Sequence, residues 1–173
     1  MTPRALLKRG IERGCGTQKE AARRLNYSPE MMNKILSGER NVAHENKPKL
    51  SGIHLIAGLA LAQEATGYMI FDYIEGDRHP IVMLQRTLKE DTEADRQLID
   101  IGWRIIDKNR PEDLTPEDVV ALKAAAKETI DRINADINMI IEWEDRYQLG
   151  LLDYLTGKKK NSLVAETQAT YNI

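Results

Sequence analysis

The chain has 173 residues, 42% hydrophobic and 30% charged, with a formal net charge of -2, so it is long enough for one ordinary domain, or two small ones, with a real core. Its single cysteine, Cys15, excludes an intramolecular disulfide, and with no C-x-x-C or Cys/His cluster neither structural zinc nor any other metal site is expected. No run approaches the ~20 apolar residues of a membrane span, and the N-terminus lacks an apolar signal core, so the expectation is a cytoplasmic protein with no membrane partner.

The small total charge conceals an asymmetry. Residues 1–50 carry eleven Lys or Arg against five Asp or Glu (+6), residues 51–157 carry eleven against twenty-one (-10), and residues 158–173 carry three against one (+2). A basic head on an acidic body is the pattern of a nucleic-acid contact surface joined to a separate module.

Taken in chain order, residues 3–13 place Leu6, Leu7 and Ile11 on one face after Pro3, which predicts a short helix ended by Gly14 and Gly16. The next stretch, TQKEAARRLNYSPEMMNKILSGER (17–40), has the most definite spacing in the chain. Thr17 is a helix cap, with Glu20 three residues on to complete a capping box, and Ala21, Ala22 and Leu25 follow at helical spacing. Asn26 fits the left-handed position of a tight turn. Ser28 then caps a second helix that begins at Pro29, buries Met32 and Ile35, and stops at Gly38.

With a small residue at Ala22, apolar residues at Leu25, Tyr27, Met32 and Ile35 and a closing Ser-Gly-Glu-Arg, this stretch resembles a helix-turn-helix of the lambda-repressor-like (XRE) superfamily. Asn26 stands where glycine is usual, and Tyr27 is bulkier than the usual aliphatic residue. The resemblance implies that the second helix lies in the major groove of double-stranded DNA while the first crosses the backbone. Carried over by position, Pro29, Glu30, Asn33 and Lys34 would face base edges. Asn33 suits a bidentate pair with adenine, Lys34 guanine or a phosphate, and Glu30 the cytosine amino group. Thr17, Gln18, Arg23, Ser28 and Arg40 would lie near phosphates. The plainer reading is a compact helical pair with a charged exterior, since helical hairpins with Gly or Asn turns are common; the caps and buried positions taken together weigh for DNA binding over it.

After Arg40, NVAHENKPKL reads as a polar loop whose Lys47 and Lys49 sit close to the DNA backbone or are simply solvated. Ser51 is expected to cap a helix with Ile53, Ile56, Ala57, Ala60 and Leu61 on a wide apolar face, packed against the two motif helices. Tyr68–Glu75 is expected to be one further helix, giving a five-helix DNA-binding domain over residues 1–80. Pro80 breaks any helix, and IVML is either an extended linker or the lead-in to the next one. The three histidines, His44, His54 and His79, read as surface or loop residues.

Residues 84–156 predict a long helical hairpin. The first helix, Leu84 to Asp107, is carried by Leu88, Leu98, Ile101, Ile105 and Ile106, with the acidic run EDTEAD facing water. After a turn at residues 109–114, Thr115-Pro116-Glu117-Asp118 is a strong helix start. Val119, Leu122, Ala126, Ile130, Ile133, Ile137 and Ile140 then form a narrow seam at three- and four-residue steps. A two-helix hairpin has no closed core, so the seam should meet either the first domain or a second copy, as a dimer or tetramer. The tail, residues 157–173, is low in apolar content and reads as flexible.

The order of these parts, SPEMMNKILSGER, then LSGIHLIAGLALAQEATGYMIFDYI, then a polar hairpin, resembles phage regulatory proteins of the CII type. That implies a prophage-borne transcriptional regulator, all-α, that binds DNA as a homo-oligomer through paired C-terminal helices. A protein-interaction module, antitoxin-like or a phage adaptor, working through the acidic hairpin is the alternative. No acid-base pair, phosphate-cradling glycine loop, metal set or partnered nucleophile is present, so neither enzymatic activity nor a cofactor is expected.

Overall fold

The computed structural model describes residues 1–69 and 71–155, and these form an all-helical chain with eight α-helices and two short 3₁₀ turns. The first helix, α1 (Pro3–Cys15), is capped by the Thr2 hydroxyl, which accepts from the Ala5 N–H at 3.3 Å, and it buries Leu6, Leu7 and Ile11 as expected. It ends at Gly16, whose φ of 73° is left-handed. Gly14 does not end the helix: a Cβ there would stand 2.5 Å from the Ile53 carbonyl oxygen, and one on Gly10 would stand 2.5 Å from the Ala57 backbone nitrogen. Gly10 lets α5 (Leu55–Thr66) pack against the backbone of α1, and Gly14, one turn on, does the same for Ile53 just before α5. Its main partner is therefore α1 rather than the α2–α3 pair (Gln18–Arg24 and Pro29–Ser37).

The stretch expected to be a loop after Arg40 is partly helical. A 3₁₀ turn at His44–Asn46 runs into α4 (Lys47–Ser51), where Pro48 occupies an early position that costs no hydrogen bond and Leu50 is buried in the core. Ser51 closes α4, its hydroxyl donating to the Pro48 carbonyl at 2.9 Å, and does not cap α5. His54 supplies that cap, Nδ1 accepting from the Ile56 N–H at 3.1 Å. It is a buried structural residue rather than a surface one.

The helix expected at Tyr68–Glu75 is absent at the described positions. Gly67, with φ of 75°, ends α5, and residues 68–69 and 71–79 are in no helix, with a bend at Gly76. The physical reason is that side-chain amides take over the work of a helix. Gln63 Oε1 accepts from the Phe71 N–H at 2.8 Å, Asn134 Oδ1 from Asp72 at 2.8 Å and Asn138 Oδ1 from Ile74 at 3.1 Å, while Asn138 Nδ2 donates back to the Asp72 carbonyl at 2.9 Å. Phe71 and Tyr73 are buried and Asp72 between them is exposed, the alternation of a strand and not of a helix.

Pro80 begins α6 (Pro80–Ile105) instead of breaking it, with His79 Nδ1 capping the Ile81 N–H at 3.3 Å. After a 3₁₀ turn at Pro111–Asp113 comes α7 (Pro116–Tyr147). The capping box expected at its start is formed: the Asp118 N–H donates to Thr115 Oγ1 at 3.2 Å and the Thr115 N–H to Asp118 Oδ2 at 2.9 Å. Lys108 and these Thr115 bonds hold the Asp118 carboxyl at about 2, so the cap is intact throughout the neutral range and is lost only as pH falls toward that value. α6 and α7 pack as an antiparallel pair, with Thr87, Ala94, Ala125 and Ala135 among their buried residues. A short α8 (Leu151–Leu155) follows, and the expectation for residues 157–173 lies outside the described residues.

The α7 seam is divided in its environment. Ile137 and Ile140, with the fully buried Ile141, pack against the core made by α1 to α5. Val119, Ala126, Ile130 and Ile133 are exposed, and Leu122 is half-buried.

Candidate nucleic-acid interface

The α2–α3 pair is built by local rules. The Thr17 hydroxyl accepts from the Glu20 N–H at 3.2 Å, but the return half of the expected capping box is missing. Glu20 instead grips Arg23 through two bonds at 2.9 and 2.8 Å and Arg24 through one at 3.2 Å, and these guanidinium bonds pull its pKa to about 2. α2 closes on Asn26 at φ 55°, with the Asn26 N–H donating to the Arg23 carbonyl and the Tyr27 N–H to the Ala22 carbonyl at 2.9 Å. That is the double bond of a left-handed helix stop, and asparagine fills it where glycine is the easier choice. Ser28 Oγ then accepts from the Met31 N–H at 3.1 Å, Pro29 opens α3, and Gly38 at φ 84° closes it.

On α3, Met32 and Ile35 are buried, which leaves Pro29, Glu30, Asn33 and Lys34 together on the exposed side, at spacings of one and four residues. Lys34 Nζ rests on Glu30 Oε1 at 2.9 Å. Of the residues expected near phosphates, Thr17, Arg23, Ser28 and Arg40 are exposed and Gln18 is half-buried. A cleft of about 380 Å³ brings Thr17, Arg23 and Pro29 together with Lys19, Glu20, Ala22 and Tyr27. Lys19 was not among the sequence candidates, yet it lines the same cleft. Lys49 lies with Arg24 around a second cleft next to the end of α2. Arg40 sits past the stop of α3, its N–H donating to the Lys34 carbonyl at 3.0 Å.

The basic surplus of the head divides in two. On α1, Arg4 donates to the Ile35 carbonyl at 2.9 Å and pairs with Glu64, Arg9 pairs with Glu75 at 2.9 Å, and Arg13 with Glu142 at 2.9 Å and with Asp145. These charges hold the fold together. From residue 17 to residue 49 the chain still has seven Lys or Arg against four Asp or Glu, a net +3 around α2, α3 and α4.

A buried ion network joins this head to α7. Arg78 Nε donates to Glu142 Oε1 at 2.6 Å and Nη1 to Asn138 Oδ1 at 2.9 Å. The Tyr73 ring lies under Arg78 at 3.8 Å and Arg9 at 4.3 Å, and its hydroxyl accepts from Arg13 at 2.7 Å. His54 Nε2 meets Asp145 Oδ1 at 2.7 Å. Burial opposes ionisation of Asp145, but the bonds from His54 and Arg13 outweigh it and hold the carboxyl below its ordinary range. Since Nδ1 of His54 already accepts from Ile56, Nε2 carries the proton that Asp145 receives. In sequence the partners lie tens of residues apart, so no local pattern announces them.

Elsewhere, carboxylate oxygens of Glu90, Glu93 and Glu128 converge on the hairpin, with Lys89 next to the first two and Lys127 next to the third. A solvated, lysine-balanced helix face accounts for them. No described helix is long and apolar enough to cross a membrane. No protein-family model matches the chain, and no curated protein or solved structure matches it either.

Proposed function

We propose that this chain is a sequence-specific double-stranded-DNA-binding transcriptional regulator, prophage-borne and cytoplasmic, that reads the major groove with α3 as the second helix of an XRE-type helix-turn-helix. The observation that carries the reading is the exposed face of α3, where Pro29, Glu30, Asn33 and Lys34 stand together directly after a capped helix start. Asn33 offers both a donor and an acceptor to adenine. The Glu30–Lys34 pair is exposed, and such pairs contribute only about 0–1 kcal/mol, so Lys34 exchanges Glu30 for a guanine or a phosphate at little cost. Thr17, Gln18, Arg23, Ser28 and Arg40, together with Lys19, supply the flanking phosphate contacts in a region of net +3. The resemblance to CII-type phage regulators supports the same reading, as does the absence from the sequence of a recognisable catalytic set.

Asn33→Ala is the variant that tests it. Against duplexes from the DNA flanking its own gene, each changed at one base pair, the loss is expected to be about 1–3 kcal/mol and to come with relaxed choice at one base position. An equal loss on every duplex would remove Asn33 from base reading. Binding retained by the hairpin to a protein partner, with no DNA affinity at all, would favour the interaction-module reading.

A further inference from the structure

A helix that reads bases needs a fixed orientation, and burial alone does not give α3 one. Met32 and Ile35 are buried, and Met31 and Leu36 pack partly against the same core, which keeps α3 on the head. Apolar contacts are non-directional, so they leave a nine-residue helix free to roll through small angles. A roll of about 20° moves an atom about 5–6 Å from the helix axis by roughly 2 Å. A bidentate pair between Asn33 and a base does not survive such a shift, because a hydrogen bond weakens steeply outside a narrow range of length and angle. A lysine on a phosphate follows it on its flexible stem.

Arg4 of α1 takes hold of α3 near its C-terminal end. Its Nη1 donates to the Ile35 carbonyl at 2.9 Å, and its Nη2 donates to Asn41 Oδ1 at 3.1 Å and pairs with the Glu64 carboxylate. One half-buried guanidinium therefore ties α3, and the segment that follows it, to α1 and through Glu64 to α5. The side chains of Ser28 and Ser37 also bond to the α3 backbone, but they lie at its own two ends and fasten it to no other helix. Ile35 is held twice, by its side chain in the core and by its carbonyl on Arg4, and Asn33 and Lys34 are the two residues before it. A cation at the last carbonyls of a helix is also favoured by the helix dipole. Three acceptors on one side chain suit the rigid fork of an arginine, which an ammonium does not reproduce.

We infer that Arg4 is a positioning residue for base reading. It makes no base contact of its own and sets the roll of α3 through the Ile35 carbonyl, while Glu64 holds the guanidinium in place. The inference rests on the proposal that α3 reads the major groove, so its test has one arm with DNA and one without.

Arg4→Lys keeps the charge and removes the fork. Its affinity for mixed duplex DNA is expected to equal that of the unmodified chain, while its preference for the DNA flanking its own gene falls about tenfold, the choice that one bidentate pair carries. Glu64→Gln leaves Arg4 in place and is expected to lower the same preference by about threefold, in keeping with a part-exposed ion pair. In the arm without DNA, amide hydrogen exchange of residues 32–38 is expected to quicken about tenfold in Arg4→Lys with α7 unchanged, whereas a general loss of stability would quicken both. A preference unchanged in both variants would overturn the inference, as would equal losses on the two DNAs or exchange that changes alike in α3 and α7. An unmodified chain that binds neither DNA would overturn the regulator reading and the role in base reading with it, and the exchange arm would still decide whether Arg4 holds α3.

Discussion

Replacing Glu142 by alanine is expected to lower the unfolding free energy by about 3 kcal/mol, read as a shift of the urea midpoint at unchanged slope. The Arg78 and Glu142 side chains are only 9% and 10% exposed, and Glu142 also takes a bond from Arg13. Removing the carboxylate leaves Arg78 with the neutral oxygens of Asn138 and Ile74 and no counter-charge among its bonds. A buried charge stripped of its partner costs more than the pair ever contributed, because the desolvation already spent on Arg78 is no longer offset. The double variant Arg78→Met, Glu142→Leu should accordingly cost less than Glu142→Ala alone. If Glu142→Ala shifts stability by less than ~0.5 kcal/mol, the range of an ordinary surface substitution, the network does not fasten the head to α7.

Gly10→Ala is expected to destabilise by about 1–3 kcal/mol, although alanine is the better helix former. The added Cβ would stand 2.5 Å from the nitrogen and 2.9 Å from the Cα of Ala57, and these are backbone atoms of α5 that cannot rotate away. The two helices must separate, and Leu6, Leu7, Ile56 and Ala60, all buried in the same core, lose contact together. Thermal unfolding of Gly10→Ala beside the unmodified chain reads this cost, and a melting temperature that stays level or rises would contradict the packing described for α1 and α5.

What was legible in the sequence was local. Thr17, Ser28-Pro29, Gly38 and Thr115–Asp118 announce helix ends because a cap is formed within three or four residues of itself, and each is found in place. The exposed α3 face of Pro29, Glu30, Asn33 and Lys34 follows from the burial of Met32 and Ile35 in the same nine-residue helix. What failed depended on distant partners. Residues 68–75 are apolar enough for a helix, but Asn134 and Asn138, some sixty positions further on, accept from the Asp72 and Ile74 backbone in place of helical partners, and Phe71 and Tyr73 are buried on either side of an exposed Asp72. His54 looked like a loop residue because its second partner is Asp145. Glu20 failed for a different reason: the capping box competed with two arginines three and four residues away, and the charged bonds won. The +6 of the head does not disclose that Arg4, Arg9 and Arg13 are paired with carboxylates of the same chain.

The measurement that bears most directly on the regulator reading is fluorescence anisotropy of the full chain against mixed duplex DNA and the DNA flanking its own gene, across a salt series. Tighter binding to the flanking DNA is expected, with log affinity falling linearly in log salt by about 0.9 per neutralised phosphate. No binding even at low salt would contradict it and leave the acidic hairpin as the working surface.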